Sequence, residues 1–380
     1  MYQFGFRCLR ERAGVSIYNY QVLNHYDKQY KFKSIFNGNT GHFIRSNVLK
    51  EVDGKLVATD EEPFMASYPE LIDIGVMGRC VCADKCKVGC YQKASLTGEN
   101  MSLEDFRWII EQSKGLVYEA ALGGKGDVDT HENFKQLLTC CAANDIVPNF
   151  TTSGIALNNS VVSLCKYYCG AVAVSEHFAD YTKNAIQKLT RAHVKTNVHY
   201  VLNNQTIDYA IKILRGEVEY YDDINALVFL MYKPVGYGKK EYVLKQTDEK
   251  VMEFFKAFDD RQVEFKIGFD SCSTTGLINY SKTVNTQYID YCEGARFSMY
   301  IGPDLVAMPC SFANQDSRWF YQLEPGSDRD IKAAWDSDVF NKFRESLKSR
   351  CMGCPDRAYC GGGCPLLDSV GLCNRHFRTI

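Results

Sequence analysis

The sequence has no long run of like charge. Its 44 Lys and Arg face 46 Asp and Glu, a formal net charge of -2 over 380 residues. A nucleic-acid or anionic-membrane partner usually leaves a basic patch, so this balance argues against both. Long apolar runs are missing too. The longest, near residues 224–232, holds an Asn and falls far short of the roughly 20 residues of a membrane-spanning helix. The opening MYQFGFRCLRER lacks the charged-then-apolar order of a signal peptide. These absences predict a soluble, cytoplasmic protein. There is no repeat at solenoid periods and no low-complexity tract. What remains is a chain of two or three ordinary packed domains, with 46% hydrophobic residues to fill their cores.

Cysteine, in contrast, is abundant: there are 17, unevenly placed. Cys80, Cys82, Cys86 and Cys90 lie within GRCVCADKCKVGCY, 78–91. Cys351, Cys354, Cys360, Cys364 and Cys373 form a second group, and Cys292 and Cys310 stand between the two. Disulfide frameworks belong to small secreted domains. Nothing here signals export, so clustered thiols point to metal. Cys8, Cys140, Cys141, Cys165 and Cys169 are scattered and read as packing residues, Cys140 and Cys165 at half-buried helix positions.

Residues 1–66 read as an irregular, partly β extension, with turn signals in NGNTG, 37–41, and at Asp53 and Gly54. From about residue 69 a regular alternation begins. Apolar strands are predicted at 71–76, 116–122, 146–150, 171–174, 194–201, 224–230 and 263–267. Helical periodicity predicts helices at 102–114, 131–142, 159–168, 181–192, 206–214 and 247–260, the first with Ser102 as a natural N-cap. Repeated β-then-α units imply a parallel sheet, because parallel neighbours need a crossover. The pattern allows an open doubly wound sheet or a full or partial barrel. In either, ligands gather at the C-terminal strand ends, and the four-cysteine stretch directly follows the first strand. Past about residue 269 the alternation stops. Residues 271–380 are rich in Cys, Gly, Ser and aromatics, with one amphipathic helix near 328–347. The expected domains are therefore 1–66, 67–270 and 271–380.

The stretch CMGCPDRAYCGGGCP gives Cys-x2-Cys-x5-Cys-x3-Cys at 351, 354, 360 and 364, with Cys373 beyond. Short loops let several thiolates converge, and Gly361, Gly362 and Gly363 let the backbone bend close to them. A structural zinc site uses similar spacing. Five cysteines plus Cys292 and Cys310 exceed one tetrahedron, which favours iron–sulfur. In the first group, three thiolates on a four-iron cube would leave one iron open to a small molecule.

A cysteine loop after the first strand, ending in Cys90 and Tyr91, in a repeated β/α domain, resembles the radical S-adenosylmethionine (SAM) superfamily. That family's usual spacing is Cys-x3-Cys-x2-Cys. Here Cys80-x5-Cys86-x3-Cys90 and Cys82-x3-Cys86-x3-Cys90 are both open. The family places its first ligand two residues after the turn that ends the strand, which VMGRC, 76–80, fits. The expected ligands are thus Cys80, Cys86 and Cys90, with Cys82 the alternative to the first. Tyr91 resembles the family's aromatic residue beside the cluster. ALGGKGD, 121–127, stands where the family carries a Gly-Gly-Glu-like stretch whose backbone holds the SAM amino group. Gly123 and Gly124 match, while Lys125 replaces the common acid, so only the backbone role carries over. Ser175 in VAVSEH resembles the family's polar ribose contact. Thr152 and Ser153 end the third strand on the same face, where plain strand-end capping explains them equally well. YKPVGYG, 232–238, ends the sixth strand and either lines the SAM adenine or the substrate, or is a simple turn.

The last hundred residues resemble a SPASM domain. Cys292, Cys310, Cys351, Cys354, Cys360, Cys364 and Cys373 follow its order, and the resemblance covers residues 67–380. It implies an α/β fold, a partial (βα)6-type radical SAM barrel with a C-terminal cysteine-rich α+β SPASM domain. The implied cofactors are SAM and three 4Fe-4S clusters. Cys351, Cys354, Cys360 and Cys373 would hold one auxiliary cluster; Cys292, Cys310 and Cys364 would hold the other. No fourth cysteine follows Cys292 closely, so that cluster keeps an open iron, borrows Cys272 of GFDSCS, or binds substrate. Cys272 also reads as a packed thiol or as a catalytic hydrogen donor. The implied reaction is reductive cleavage of SAM, fed by an external low-potential electron donor, to a 5′-deoxyadenosyl radical that takes hydrogen from an unactivated C–H bond. The implied substrate is a ribosomally made peptide, crosslinked or oxidised at a side chain. A small molecule is the alternative substrate, and an electron-transfer module without radical chemistry is the alternative class.

Overall fold

The structure, a computed structural model, describes residues 16–86 and 89–373; Cys8 lies outside the described residues. The extension is β. Strands β1 (Val22–Asp27), β2 (Phe32–Asn37) and β3 (His42–Arg45) form an antiparallel sheet, and β4 (Leu49–Val52) and β5 (Lys55–Ala58) form a hairpin. Its turns are the predicted ones. NGNTG joins β2 to β3, and Asp53 and Gly54, at φ 50 and 72°, reverse the chain between β4 and β5, as a two-residue hairpin turn requires. Tyr20 and Phe36 anchor this sheet on Tyr118, Ala142 and Val147 of the main body.

The main body then alternates. β6 (Leu71–Met77) leads to α1 (Leu103–Ser113), β7 (Glu119–Gly124) to α2 (Phe134–Ala143), and β8 (Val147–Thr152) to α3 (Asn159–Tyr168). β9 (Val172–Ser175), α4 (Ala179–Arg191), β10 (Thr196–Leu202), α5 (Ile207–Leu214), β11 (Ala226–Met231), α6 (Glu249–Asp259) and β12 (Lys266–Phe269) complete the series. Ser102 caps α1 as expected, accepting the Asp105 N–H at 3.0 Å. All seven strands are parallel and pair strictly in chain order. A doubly wound sheet would reverse that order at a switch point. With right-handed crossovers, sequential order puts every helix on one side, and the sheet curls into a partial barrel.

The barrel does not close. β6 pairs in parallel with β13 (Ser298–Ile301), which continues through β14 (Val306–Met308) to β15 (Tyr321–Gln322). One ten-stranded sheet thus runs across residue 270. Past β12 come α7 (Thr274–Tyr280), α8 (Ile331–Asp336), α9 (Asp338–Ser349) and α10 (Arg357–Cys360). The single helix expected at 328–347 is two, because Ser337 is extended (φ -64°, ψ 158°) and its side chain accepts the Phe340 N–H, starting α9 afresh.

Strand alternation separates two environments. Ile72, Ile74, Leu122, Phe150, Val174, Val198 and Phe229 are buried outward against Phe106, Ile109, Phe254 and Phe255 of the helices. Asp73, Asn149, Thr151, Ser175 and His199 take the alternate, half-buried positions and line the lumen. Cys141, Cys165 and Cys169 are buried in the core and Cys140 packs at its edge, so Cys165 is deeper than its helix pattern suggested. The sixteen described cysteines are all free thiols. No described helix is long and apolar enough to cross a membrane.

Candidate active site at the strand ends

The cysteine loop leaves β6 at Met77. The Cys80 N–H donates to Ser95 O at 2.8 Å, and the Cys86 N–H to Cys82 O at 2.9 Å, which folds the loop into a compact turn. Burial raises the Cys80 pKa; the Cys82 N–H opposes, and Asp127, Cys82 and Cys86 add to the rise. Burial, Asp127 and Cys86 likewise raise Cys82. Cys80, Cys82 and Cys86 thus lie on one short turn beside Asp127. Cys90 is gripped from the other side, its C=O accepting the Tyr237 N–H at 3.0 Å. Gly236 permits this approach. Its φ is 66°, and a Cβ there would stand 2.5 Å from Cys90 O.

Gly123 and Gly124 end β7, the neighbour of β6. The Lys125 N–H donates to Met77 O at 2.8 Å, and the Gly126 backbone packs on Arg79 and Cys80. Asp127 accepts the Ser153 N–H at 2.9 Å and the Ser153 hydroxyl. Burial raises its carboxyl, against the pull of Ser153 and His177. Ser153 is thus committed to Asp127, and the Thr152 hydroxyl to the Gly154 N–H at 2.9 Å, a strand-end cap. Ser175 ends β9 in register with His199 of β10.

Deeper in the lumen, burial pushes the Asp73 carboxyl up to about 7. Burial and His177 push His199 down to about 4, so it is neutral at pH 7. Tyr91 stacks on Phe312 with centroids 4.3 Å apart, and burial followed by Asp73 pushes its phenol up to about 12. Sequence reasoning missed Asp73, Asp127, His199 and Phe312. A lone acid in LIDIGV and a lone His in NVHYV were the available signals; Phe312 had none.

The C-terminal thiols separate into two sets. Burial raises the Cys360 pKa, the Gly362 N–H opposes, and Cys351, Cys354 and Cys373 add to the rise. Gly361, Gly362 and Gly363 hold φ of 56, 80 and 83°, and a Cβ on Gly362 would lie 3.1 Å from Cys351 Sγ. The backbone makes a cradle there that side chains would fill. In the second set, a hydrogen bond to Cys364 and burial hold the Cys272 thiol well above its usual range, with Lys233 opposing. Burial, Cys310 and Cys272 raise Cys292. Burial pushes Cys310 up to about 12, the Phe312 N–H opposes, and Cys272 adds to the rise. Two sets of four buried or half-buried thiols, and a loop set beside the lumen, suit four-iron clusters. Among the described residues no three His, Cys, Asp or Glu converge closely enough for a single metal ion; a cube, with irons at separate corners, holds its thiolates further apart.

Comparison with protein families gives no match, and neither does comparison with curated proteins. Solved structures do match. SuiB of Streptococcus suis bound to precursor peptide SuiA superposes with a TM-score of 0.68 at 13% identity, over 97% of this chain and 100% of that one. SuiB bound to S-adenosylmethionine gives 0.67 at 15%, with the same coverage. Native anSMEcpe with bound AdoMet gives 0.57 at 17%, over 79% of this chain and 91% of that one. The chain shares its overall fold with SuiB and anSMEcpe. On this fold the cysteine loop, Gly123, Gly124, Ser153 and Ser175 all stand at the C-terminal ends of β6 to β9 or just beyond, and Cys272 stands just past β12.

Proposed function

We propose that this protein is a radical SAM enzyme that takes hydrogen from a ribosomally made peptide, forming a crosslink or oxidising a side chain. The Lys125 N–H bond to Met77 O carries this reading, because it sets the Gly-Gly turn against the cysteine loop on adjacent strand ends. Cys80, Cys86 and Cys90 would hold the cluster. Cys80 is favoured over Cys82 because Ser95 and Gly126 hold it on the side of that turn. Bound there and given one electron by an external donor, SAM would supply a 5′-deoxyadenosyl radical for hydrogen abstraction.

The chain's own residues do the rest. The backbone at Gly123, Gly124 and Lys125 would receive the amino group, Ser175 would contact the ribose, and Tyr91 would pack beside the cluster. Ser153 acts through Asp127, which it orients. A neutral His199 and an Asp73 protonated below about pH 7 lower the charge that these two side chains present in the lumen. Cys351, Cys354, Cys360 and Cys373 fit one auxiliary cluster. Cys292, Cys310 and Cys364 fit another, with Cys272 as fourth ligand in place of the hydrogen-donor role. Residues 67–270 and 271–380 then act as barrel and SPASM domain that share one sheet. The peptide reading is supported by SuiB, whose structure holds a precursor peptide.

The test is anaerobic reconstitution with iron and sulfide, addition of SAM and a strong reductant, and mass spectrometry for 5′-deoxyadenosine. The wild type should form it, and Cys86→Ala and Cys90→Ala should not. No product from wild-type protein carrying full iron and sulfide would overturn the reading.

A further inference from the structure

Lys233 follows β11, and its side chain is only 3% exposed. A buried ammonium is costly unless paired and hydrogen-bonded. Its Nζ donates to Asp270 Oδ2 at 2.7 Å and to Met231 O at 2.9 Å, and lies 4.3 Å from the centre of the Phe312 ring. Asp270 also accepts the Ser273 hydroxyl at 2.7 Å, so the pair is fixed in place. Burial works against the charge, and the Asp270 carboxylate offsets it as a paired counter-charge. This ion pair sits beside the thiols: Asp270 lies two residues before Cys272, and Phe312, under the Lys233 ammonium, lies two residues after Cys310. Cys351 and Cys360 belong instead to the glycine cradle at 361–363, where a Cβ on Gly362 would lie 3.1 Å from Cys351 Sγ.

We infer that Lys233 and Asp270 set the reduction potential of the cluster held by Cys272, Cys292, Cys310 and Cys364, Lys233 favouring its reduced form and Asp270 opposing it. This rests on the iron–sulfur reading above. Reduction adds one negative charge to the centre, and a fixed cation in a poorly solvated site stabilises the more negative state. Cluster potentials follow net charge, hydrogen bonding and exposure. The Lys233 loop also meets the first cysteine loop, through Tyr237 and Cys90. Phe312, between Lys233 and Tyr91, joins the two thiol groups through packed rings. The potential-setting charge therefore sits on the element that touches both.

The test is a redox titration of the full chain with all clusters reconstituted, followed by electron paramagnetic resonance, without SAM. Lys233→Met should lower the midpoint of one cluster only, by at least a tenfold change in its reduced-to-oxidised ratio, about 59 mV for one electron. Lys233→Arg should recover most of that change, and Asp270→Asn should move the same cluster upward. Unchanged midpoints overturn the inference. So does a shift of the same sign in Lys233→Met and Asp270→Asn, because lost packing would move both alike. If Lys233→Met loses iron, Asp270→Asn decides: a midpoint that falls or stays put refutes the inference. Absence of 5′-deoxyadenosine from the wild type would end the enzyme reading and leave these midpoints standing. Failure to bind iron would remove both.

Discussion

Replacing Asp73 with Asn should stabilise the protein in alkali, by an amount that fades in acid. Asp73 lies in the lumen, and among the described residues none donates a hydrogen bond to it. Burial alone moves its carboxyl from 3.8 to about 7. A carboxyl with a raised folded pKa takes up a proton on folding. Its contribution is therefore fully present below about pH 3.8 and is lost as pH rises through about 7. At 1.36 kcal/mol per unit, the full shift corresponds to about 4 kcal/mol. Water that reaches the half-buried lumen screens part of it, leaving about 2–4 kcal/mol at pH 8. Asn has the same shape and no charge to desolvate. Urea unfolding of cluster-loaded protein without SAM, from pH 4 to pH 9, should show the Asn variant gaining about 1.4 kcal/mol per pH unit and levelling off at the folded pKa. His199 titrates in the opposite sense. Its folded value of about 4 lies below its unfolded value of 6.5, so both proteins lose stability as pH falls through that window, and the difference between them cancels it. A pH-independent difference, or a variant weaker at pH 8 than at pH 5 relative to wild type, would refute the reasoning.

Gly236→Ala should cost about 1–2 kcal/mol for its left-handed backbone and about 1–3 kcal/mol for overpacking, because the new Cβ meets Cys90 O at 2.5 Å. A lower urea midpoint and an altered spectrum of the first cluster would report both effects. Cys80→Ala should abolish SAM cleavage while Cys82→Ala preserves it; the opposite outcome would make Cys82 the first ligand. Arg344 is 4% exposed, and its guanidinium donates to Ala295 O at 2.6 Å and Trp335 O at 2.8 Å. Arg344→Met should leave those buried carbonyls unpaired and cost about 2–5 kcal/mol in urea unfolding.

Periodicity carries far in this chain. The seven strands and six helices of the alternation end within three residues of where spacing predicts them. Order within the sheet was not legible, because strands that share one alternation of buried and half-buried positions look alike whichever neighbour they pair with. Only the pairing, strictly sequential, excludes the doubly wound alternative. The addition of β13 beside β6 was hidden for a related reason. SMYI is four residues long and lies far along the chain from its partner, and local pattern does not report a long-range pairing. Ser337 was a visible cap candidate, but the apolar period runs through it and masks the break between α8 and α9.

The site divides by sequence distance. Thiols that cluster in the chain, such as Cys351, Cys354 and Cys360, were legible because loop length limits how far apart they can stand. The pairs that carry the proposed chemistry are not local. Lys233 follows β11 and Asp270 follows β12, 37 positions apart, yet their charges meet at 2.7 Å. Parallel strands that pair in chain order end on one edge, so residues just past successive strands must face each other there. That rule predicts the edge. It does not say which side chains meet, because loop conformation decides that. What singles out Lys233 is energetic: a lysine flush against the apolar strand ALVFLM is buried and must find a counter-charge at the same edge. Asp270, directly after the next strand, stands where that counter-charge is required. Read this way, an ion pair and the thiol beside it become deducible from strand order and burial together, though from neither alone.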